Sequence, residues 1–335
     1  MADMSENDLI ATFFAPLAGE GGLGLRDDAA RLALSENHEL VVTTDGVIAG
    51  VHFFPEDPPE SVARKALRVN LSDLAAKGAR PVGFLLTLGL PEGWTRDWLA
   101  AFAAALGEDA RARRCPLLGG DTMRTPGPLT VAITALGEIP RGTMARRDGA
   151  RAGDIIAVTG TIGDAALGLE ARRAQVAGPD APRPAWLDAI GPDHAAALAR
   201  RYLEPQPRNA LAEAVRGLAS AAMDISDGLI GDLRKLTLAS GVSALLILDD
   251  APLSPAAAAA LAADDSLARQ IFGGGDDYEL LLTAPPDHYE SLAAAARAAG
   301  CGLAAVGEIL PADAPFETRW RDRAVDLGPG AFTHF

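Results

Sequence analysis

The chain has 335 residues, a formal net charge of −15 at pH 7 and a hydrophobic content of 49%. This length exceeds that of most single domains and predicts two domains. The acidic charge excludes a nucleic-acid-binding surface, which needs clustered Lys and Arg, although nucleotides can still be bound through a metal cation.

The cysteines and the hydropathy indicate the cellular compartment. Cys115 and Cys301 lie far apart without the spacing of metal ligands, which predicts neither a disulfide framework nor a zinc site and fits a reducing compartment. The acidic start, Met1–Asp8, lacks the basic and apolar regions of a signal peptide. No apolar stretch approaches the length of a membrane span. We therefore expect a cytoplasmic protein without a membrane or nucleic-acid partner.

The first part of the chain alternates predicted helices with predicted strands. A β-branched run predicts a strand that ends at Thr44. Gly78 and Pro81 predict the end of a helix that begins at Ser61. The predicted elements are helices at 5–18, 61–77 and 94–113, and strands at 39–44, 82–90 and 129–136. This alternation favours an α/β or α+β layered architecture.

A polar connection rich in Arg and Gly, 141–153, precedes a second series of elements. We place the domain boundary near residue 148, which gives domains 1–148 and 149–335. The stretch 175–195 is rich in Pro, Ala and Asp and predicts a loop or lid. The predicted elements are strands at 154–159, 243–248, 278–283 and 302–309, and helices at 163–174, 208–220, 256–263 and 286–299, with one more helix that starts near Asp227.

Five short segments combine carboxylates with small or hydroxylated residues. A carboxylate in surroundings rich in Ala, Val and Leu is costly to desolvate unless it is neutralised. Mg²⁺ neutralises such groups because it takes carboxylate oxygens, together with water and substrate phosphates. The segments therefore predict several magnesium ions and phosphoryl chemistry. They are Gly24–Asp28, Thr43–Gly46, Asn70–Asp73, Gly119–Thr122 and Asp224–Gly228.

Most of these segments also have a plainer interpretation. Asp27 suits a turn, and the helix face from Asn70 to Lys77 suits solvent. Asp227 suits a helix N-cap, and His52 suits a histidine whose hydrogen bonds are satisfied in a turn. Asp224 has no such alternative, because it follows an apolar run. The occurrence of all the segments together favours the functional interpretation.

Longer stretches of the chain resemble the thiamine-monophosphate kinases, and the resemblance runs from about residue 5 to the end. The stretches that carry it are Thr43–Phe53, Lys65–Ala79, Gly119–Thr122, Asp224–Leu229 and Gly274–Leu280. These kinases belong to a superfamily with aminoimidazole ribonucleotide synthetase, selenophosphate synthetase and a hydrogenase-maturation protein. The resemblance implies the two-domain aminoimidazole ribonucleotide synthetase-like fold. It also implies a homodimer that forms through the sheet of the N-terminal α/β domain, beside a C-terminal α/β domain.

The resemblance further implies ATP-dependent phosphorylation of thiamine monophosphate to thiamine diphosphate, with Mg as cofactor and no protein nucleophile. The expected partners are ATP and thiamine monophosphate. The positions that match the family's magnesium sites are Asp27, Thr43, Thr44, Asp45, Asp73, Asp121, Asp224 and Asp227. Those that match its nucleotide contacts are Gly120, Asp121, Arg147 and Ser226, and those that match its substrate contacts are His52, Asp276 and Phe332.

Three positions depart from the family pattern. Arg26 stands where a glycine is expected, Asp276 where a glutamate is expected, and Pro329 where an aromatic residue is expected, with Phe332 as its substitute. We hypothesise that Arg26 pairs with the adjacent carboxylates while the site is empty and contacts a phosphate when ATP binds.

Other functions are weighed against this one. Selenophosphate synthetase requires a cysteine near the N-terminal glycine-rich segment and the hydrogenase-maturation protein requires one at the C-terminus, and neither is present. Aminoimidazole ribonucleotide synthetase lacks the Val51–Phe53 and Asp277–Leu280 context. A non-catalytic nucleotide-binding regulator remains an alternative, as does a metal-dependent phosphohydrolase that releases phosphate from ATP without an acceptor.

Overall fold

The computed structural model describes residues 4–328, 330 and 331. It divides into two compact units, the first made of Met1–Leu74 and Ala79–Gly142 and the second of Ala75–Gly78 and Thr143–Phe335. The main division thus falls at 142/143, at the start of the connection 141–153. Within the described residues, no helix is long and apolar enough to cross a membrane.

The first unit contains an α/β arrangement with a short N-terminal helical segment. Its α-helices and strands are α1 Glu6–Leu9, β1 His38–Ile48, α2 Pro59–Ala76, β2 Arg80–Pro91, α3 Arg96–Ala112, β3 Leu117–Thr125 and β4 Thr130–Pro140. The helix predicted at 5–18 is interrupted after α1 by a π-helical turn, Ile10–Phe14, and a 3₁₀ turn, Ala15–Leu17. Pro16 in that last turn removes a backbone donor, which ends the helix.

Four strands of the described chain form the sheet of this unit, in the order β1-β4-β2-β3. Strands β2 and β3 run parallel, whereas β4 pairs antiparallel with both β1 and β2. One face is buried against α2 and α3 in a cluster that includes Leu67 and Phe102. The opposite face carries exposed apolar side chains at Leu40, Val42 and Leu85. The sheet therefore has one covered face and one open face.

Strand β3 is absent from the sequence prediction, which treated Gly119–Thr122 only as one of the five carboxylate segments. The two glycines suppressed the strand signal, because glycine is depleted in strands. The structure instead places this motif inside β3, with Gly119 beside Leu85 and Asp121 beside Thr87 of β2.

The second unit contains a mixed sheet covered on both faces. Its strands are β5 Ile155–Thr159, β6 Ala221–Asp224, β7 Ser243–Ile247, β8 Leu280–Ala284, β9 Leu303–Leu310, β10 Glu317–Trp320 and β11 Arg323–Ala324. Residues of β6 and β8 alternate between two clusters, so that Leu281 of β8 joins one and Leu280 and Leu282 join the other. The described strands of this unit follow the order β11-β10-β7-β9-β5-β8-β6. Its α-helices are α4 Asp164–Ala177, α5 Ala185–Leu203, α6 Ala212–Leu218, α7 Leu229–Ser240, α8 Pro255–Ala263, α9 Ala268–Gly273 and α10 Pro286–Ala298.

The sequence predictions fail at several places in this unit, and α9, β10 and β11 were not predicted. The loop predicted at 175–195 is wrong from Ala185 onward, where α5 begins. Gly191 and Pro192 interrupt that helix, with Gly191 at φ +79°, and this interruption hides the helical period in the sequence. Strand β6 was missed because four residues of the composition Ala-Ala-Met-Asp carry little strand signal.

Candidate functional site

A cavity of about 740 Å³ opens on the exposed face of the four-stranded sheet. Asp27, Gly120 and Asp121, all predicted site residues, line it. Its floor is apolar, and the polar atoms around it come from carboxylates and hydroxyls. The other lining residues include Glu6, Phe14, Asp28, Leu85, Thr87, Leu118, Thr122, Thr134 and Leu136. The cavity thus combines an apolar surface with oxygen donors.

Gly120 allows β3 to approach β2 closely at this cavity. A Cβ at this position would lie 1.8 Å from the carbonyl oxygen of Leu86. Only glycine fits there, because any side chain at this position would collide with the backbone of β2.

Arg26, next to Asp27, needs no glycine-like conformation, since its φ is −115°. Leu23 and Leu25 instead carry the left-handed values, at φ +50° and +54°. Arg26 makes no ion pair with Asp27 or Asp28 in the part of the chain that the structure describes. The guanidinium is exposed to water, where it gains little from a surface pair, so the exchange of partners proposed for Arg26 stays a prediction.

The remaining predicted magnesium residues of the first unit lie on both faces of β1. Thr44 lies on the open face, where its hydroxyl accepts a hydrogen bond from Thr134 at 3.1 Å. Thr43 and Asp45 alternate with it and therefore lie on the face covered by α2. Thr43 Oγ1 donates to Asp73 Oδ2 at 2.5 Å. The sheet thus separates Thr43 and Asp73 from the cavity of Asp27 and Asp121.

Asn70 connects α2 to the same strand. Its Oδ1 accepts the backbone N–H of Asp45 at 2.9 Å, and its Nδ2 donates to Ala66 O at 3.0 Å. Asn70 is fully buried. The interpretation of this helix face as merely solvated is therefore wrong.

His52 follows β1 in a tight turn. Its Nδ1 accepts the N–H of Ile48 at 3.1 Å, so the ring proton of the neutral imidazole lies on Nε2. The plain interpretation as a turn histidine is thus confirmed for Nδ1.

In the second unit, two predicted motifs meet through backbone hydrogen bonds. Ser226 O accepts the N–H of Asp276 at 2.7 Å, and Ile225 O accepts the N–H of Tyr278 at 2.9 Å. Asp224, at the end of β6, is 5% exposed. The predicted nucleotide contact Ser226 therefore lies beside the predicted substrate contact Asp276.

Asp276 has a left-handed backbone with φ +66°. Aspartate tolerates this region better than most residues because its short polar side chain bonds locally. The departure from glutamate is therefore compatible with the local backbone.

Buried acidic side chains at the end of the loop that contains Asp276 hold this loop in place. Glu279 is fully buried and accepts Arg201 Nη2 at 2.9 Å, Arg208 Nε at 2.6 Å and Thr159 Oγ1 at 2.7 Å. Its neighbour Asp277 accepts the N–H of Gly163, and burial raises the pKa of this carboxyl well above its usual value. Sequence reasoning missed both roles, because their partners lie more than 70 residues away.

The helix that follows Asp227 begins differently from the prediction. Gly228 is the N-cap of α7, so the interpretation of Asp227 as N-cap is wrong. Asp232, fully buried, accepts the N–H groups of Ser226 at 3.0 Å and Asp227 at 2.9 Å, and desolvation raises the pKa of its carboxyl. Lys235 contacts both Asp227 and Asp232. The signal that could have found Asp232 is a carboxylate in the first turn of a helix.

Two predicted site residues remain to be located, the nucleotide contact Arg147 and the substrate contact Phe332. Arg147 is exposed, and its guanidinium makes no hydrogen bond or ion pair with the described residues. Phe332 lies outside the described residues. The chain before it contacts α7, because Gly330 O accepts the N–H of Gly231 at 2.8 Å.

The chemical type of the predicted ligand atoms determines which metal ion the site suits. Among the described residues, no three His, Cys, Asp or Glu side chains converge as a ligand group. The predicted ligands offer only carboxylate and hydroxyl oxygens. Mg²⁺ is commonly held by one or two carboxylates together with water and substrate phosphates, so these residues fit it by chemistry.

Known protein families match both units. The family model of the AIR synthase related protein, N-terminal domain, matches residues 26–139, and that of the C-terminal domain matches residues 151–317. The thiamine-monophosphate kinase of Caulobacter vibrioides is 44% identical over 256 residues, which are 76% of this chain and 68% of that protein.

Solved structures agree with these matches. The thiamine-monophosphate kinase from Stenotrophomonas maltophilia superposes with a TM-score of 0.78 and 38% identity, over 90% of this chain and 91% of that one. AaThiL, solved in complex with AMPPCP and TMP, superposes with a TM-score of 0.75 and 28% identity, over 98% and 97% of the two chains. The two-domain fold expected from the sequence is confirmed.

Proposed function

The chain belongs to the AIR synthase related proteins and, among them, to the thiamine-monophosphate kinase family, and from this we propose that it phosphorylates thiamine monophosphate with ATP. The chain is an enzyme of the kinase class. The proposed products are thiamine diphosphate and ADP, and the proposed location is the cytoplasm.

The cavity of the first unit is the observation that best supports this proposal. Its apolar floor suits a nucleobase or another flat ring, and Asp27 and Asp121 at its edge suit cation-bound phosphates. We place ATP here, with Asp121 as its link to the metal.

Magnesium is proposed as the cofactor, held in the first unit by Asp27, Thr43, Thr44, Asp45, Asp73 and Asp121 and in the second unit by Asp224 and Asp227. When bound, it supplies the positive charge that lets two phosphate groups approach for in-line transfer. Arg147, which has no side-chain partner among the described residues, would add a guanidinium fork suited to phosphate. Ser226 provides a hydroxyl next to the same loop.

The acceptor side of the reaction requires positioning more than proton transfer. The attacking group is a phosphate, which is already ionised at neutral pH, so no strong general base is needed. We propose that His52 donates from Nε2–H and that Asp276 accepts from the substrate. Phe332 is the proposed aromatic contact.

A homodimer through the sheet of the first unit is also proposed. Val42 is 56% exposed and Met123 45% exposed on its open face. A second copy that covers this face would bury these side chains.

The test is direct incubation of the protein with ATP, Mg²⁺ and thiamine monophosphate, followed by chromatography. We expect thiamine diphosphate and ADP in equal amounts, with free thiamine left unphosphorylated. Release of inorganic phosphate from ATP without thiamine monophosphate would instead identify a phosphohydrolase, and nucleotide binding without turnover would identify a regulator.

A further inference from the structure

The loop that joins β6 to α7 is held by a carboxylate of that helix. One oxygen of Asp232, Oδ2, accepts three consecutive N–H groups, those of Ser226 at 3.0 Å, Asp227 at 2.9 Å and Gly228 at 3.1 Å. Consecutive N–H groups that point to one centre form a concave anion-binding arrangement. In this chain its anion is the carboxylate of Asp232, so these donors are not available to a substrate phosphate.

Lys235 connects this buried carboxylate to Asp227. Its Nζ donates to Asp232 Oδ1 at 2.7 Å and also contacts Asp227 Oδ2. The side chains of Lys235 and Asp227 are 42% and 35% exposed, whereas that of Asp232 is fully buried. Two carboxylates thus share one ammonium group.

A second cation would affect the two ion pairs of Lys235, with Asp227 and with Asp232, to different extents. A divalent ion bound at Asp227 would repel the ammonium of Lys235, since both are positively charged and would share one carboxylate. Asp227 can be solvated by water, but the buried Asp232 would lose a charged partner if Lys235 left it. The ammonium is therefore expected to leave Asp227 and stay with Asp232.

We propose that Lys235 is a tethered counter-ion that positions Asp227 in the ion-free protein and competes with the divalent cation for its carboxylate. Lys235 is a positioning residue, because it acts through Asp227. This inference rests on the proposed function, in which Asp227 belongs to the magnesium set.

The test replaces Lys235 by a neutral residue of similar length. Thermal unfolding of Lys235→Met is followed while MgCl₂ is titrated against a fixed, saturating non-hydrolysable ATP analogue. We expect the half-saturating Mg²⁺ concentration to fall about two- to fivefold, the factor that corresponds to a partly exposed ion pair. The Tm of the ion-free variant should fall, because the two carboxylates then repel one another.

The matched control is Arg234→Met, which removes an equal charge at the neighbouring position. The guanidinium of Arg234 stacks on the ring of Phe316. The Arg234→Met variant should keep the parent's half-saturating concentration, as should Lys235→Arg. The inference is overturned if the half-saturating Mg²⁺ concentration of Lys235→Met equals or exceeds that of Arg234→Met. Lys235 would then not compete with the ion.

Asp227→Asn separates this inference from the function on which it rests. If that variant needs more Mg²⁺ than the parent while Lys235→Met does not change, only the competition by Lys235 fails. If Asp227→Asn needs no more Mg²⁺ than the parent, Asp227 is not a magnesium ligand, and both the assignment and the inference fail.

Discussion

Gly120 and Gly119 are adjacent residues of one strand, yet they have different surroundings. A Cβ on Gly120 would lie 1.8 Å from Leu86 O, whereas one on Gly119 would lie 3.4 Å from the flexible end of Leu85. We expect Gly120→Ala to lower the free energy of unfolding by about 1–3 kcal/mol, because β3 must move away from β2. Gly119→Ala should unfold near the parent's Tm. A Gly120→Ala protein with the parent's Tm would contradict this account of the strand contact.

Asp45 and Asp121 test the magnesium assignment on the two faces of the sheet. Asp45→Asn and Asp121→Asn should each lower kcat/KM at least about 100-fold, because each removes a charge that we propose holds the phosphate-bound cation. Their ion-free Tm should be unchanged or slightly higher, since fewer carboxylates repel one another. Steady-state kinetics at saturating Mg²⁺ would measure this, with Glu92→Gln, an exposed carboxylate on the same unit, as control. Near-normal turnover in either variant would remove that residue from the metal set.

Cys115 is buried, and desolvation raises the pKa of its thiol to about 12. Its thiolate, the reactive form, is therefore nearly absent at pH 7 and becomes abundant only above the pH range in which proteins are handled. We expect iodoacetamide to leave Cys115 unmodified in the native protein up to pH 9 and to alkylate it after unfolding, as read by mass spectrometry. A Cys115→Ala, Cys301→Ala protein should keep its activity. Loss of activity in a folded double variant would point to a thiol-dependent member of the superfamily.

At the level of elements, the loop between α9 and β8 depends on a buried ion-pair cluster. Glu279 at its end receives hydrogen bonds from Arg201 and Arg208. Glu279→Gln should lower the free energy of unfolding by about 3–5 kcal/mol, because it removes the fully buried carboxylate that the partly buried guanidinium groups of Arg201 and Arg208 share. Chemical denaturation would measure this. Asp265→Asn, which breaks an exposed pair with Arg321, should change the free energy of unfolding by no more than about 1 kcal/mol. Equal effects of the two substitutions would contradict the role given to burial.

For the whole molecule, the open face of the four-stranded sheet sets the expected oligomeric state. Val42→Asp places a charge on this face, and we expect it to convert the proposed dimer to a monomer in light scattering coupled to size-exclusion chromatography. Leu238→Asp is the control, because Leu238 is 84% exposed on α7 of the second unit. A Val42→Asp protein that stays dimeric would place the interface elsewhere.

Periodicity and local signals predicted most elements of both units, including α2, α3 and α10, within a few residues of their bounds. These helices have a regular apolar face, and Gly78, Pro116 and Gly300 follow shortly after their last residues, so local sequence is sufficient. Strands β3 and β6 and the helix α5 were missed for a common reason. Each contains glycine, proline or small residues that weaken the local pattern, and each is stabilised by contacts with distant parts of the chain.

The sequence by itself determined the family, the motif positions and the chemistry of the donors, because these depend on residue types at fixed spacing. Only the tertiary structure decided which motifs meet. It separated Thr43 and Asp73 from Asp27 and Asp121 by the alternation of β1, and it joined Ser226 to Asp276. It also revealed Glu279 with its two arginines, and Asp232 with Lys235. The contacts of Glu279 and Asp232 depend on burial and on long-range hydrogen bonds. A sequence motif does not specify them, because it records the identity of each side chain and not what that side chain contacts.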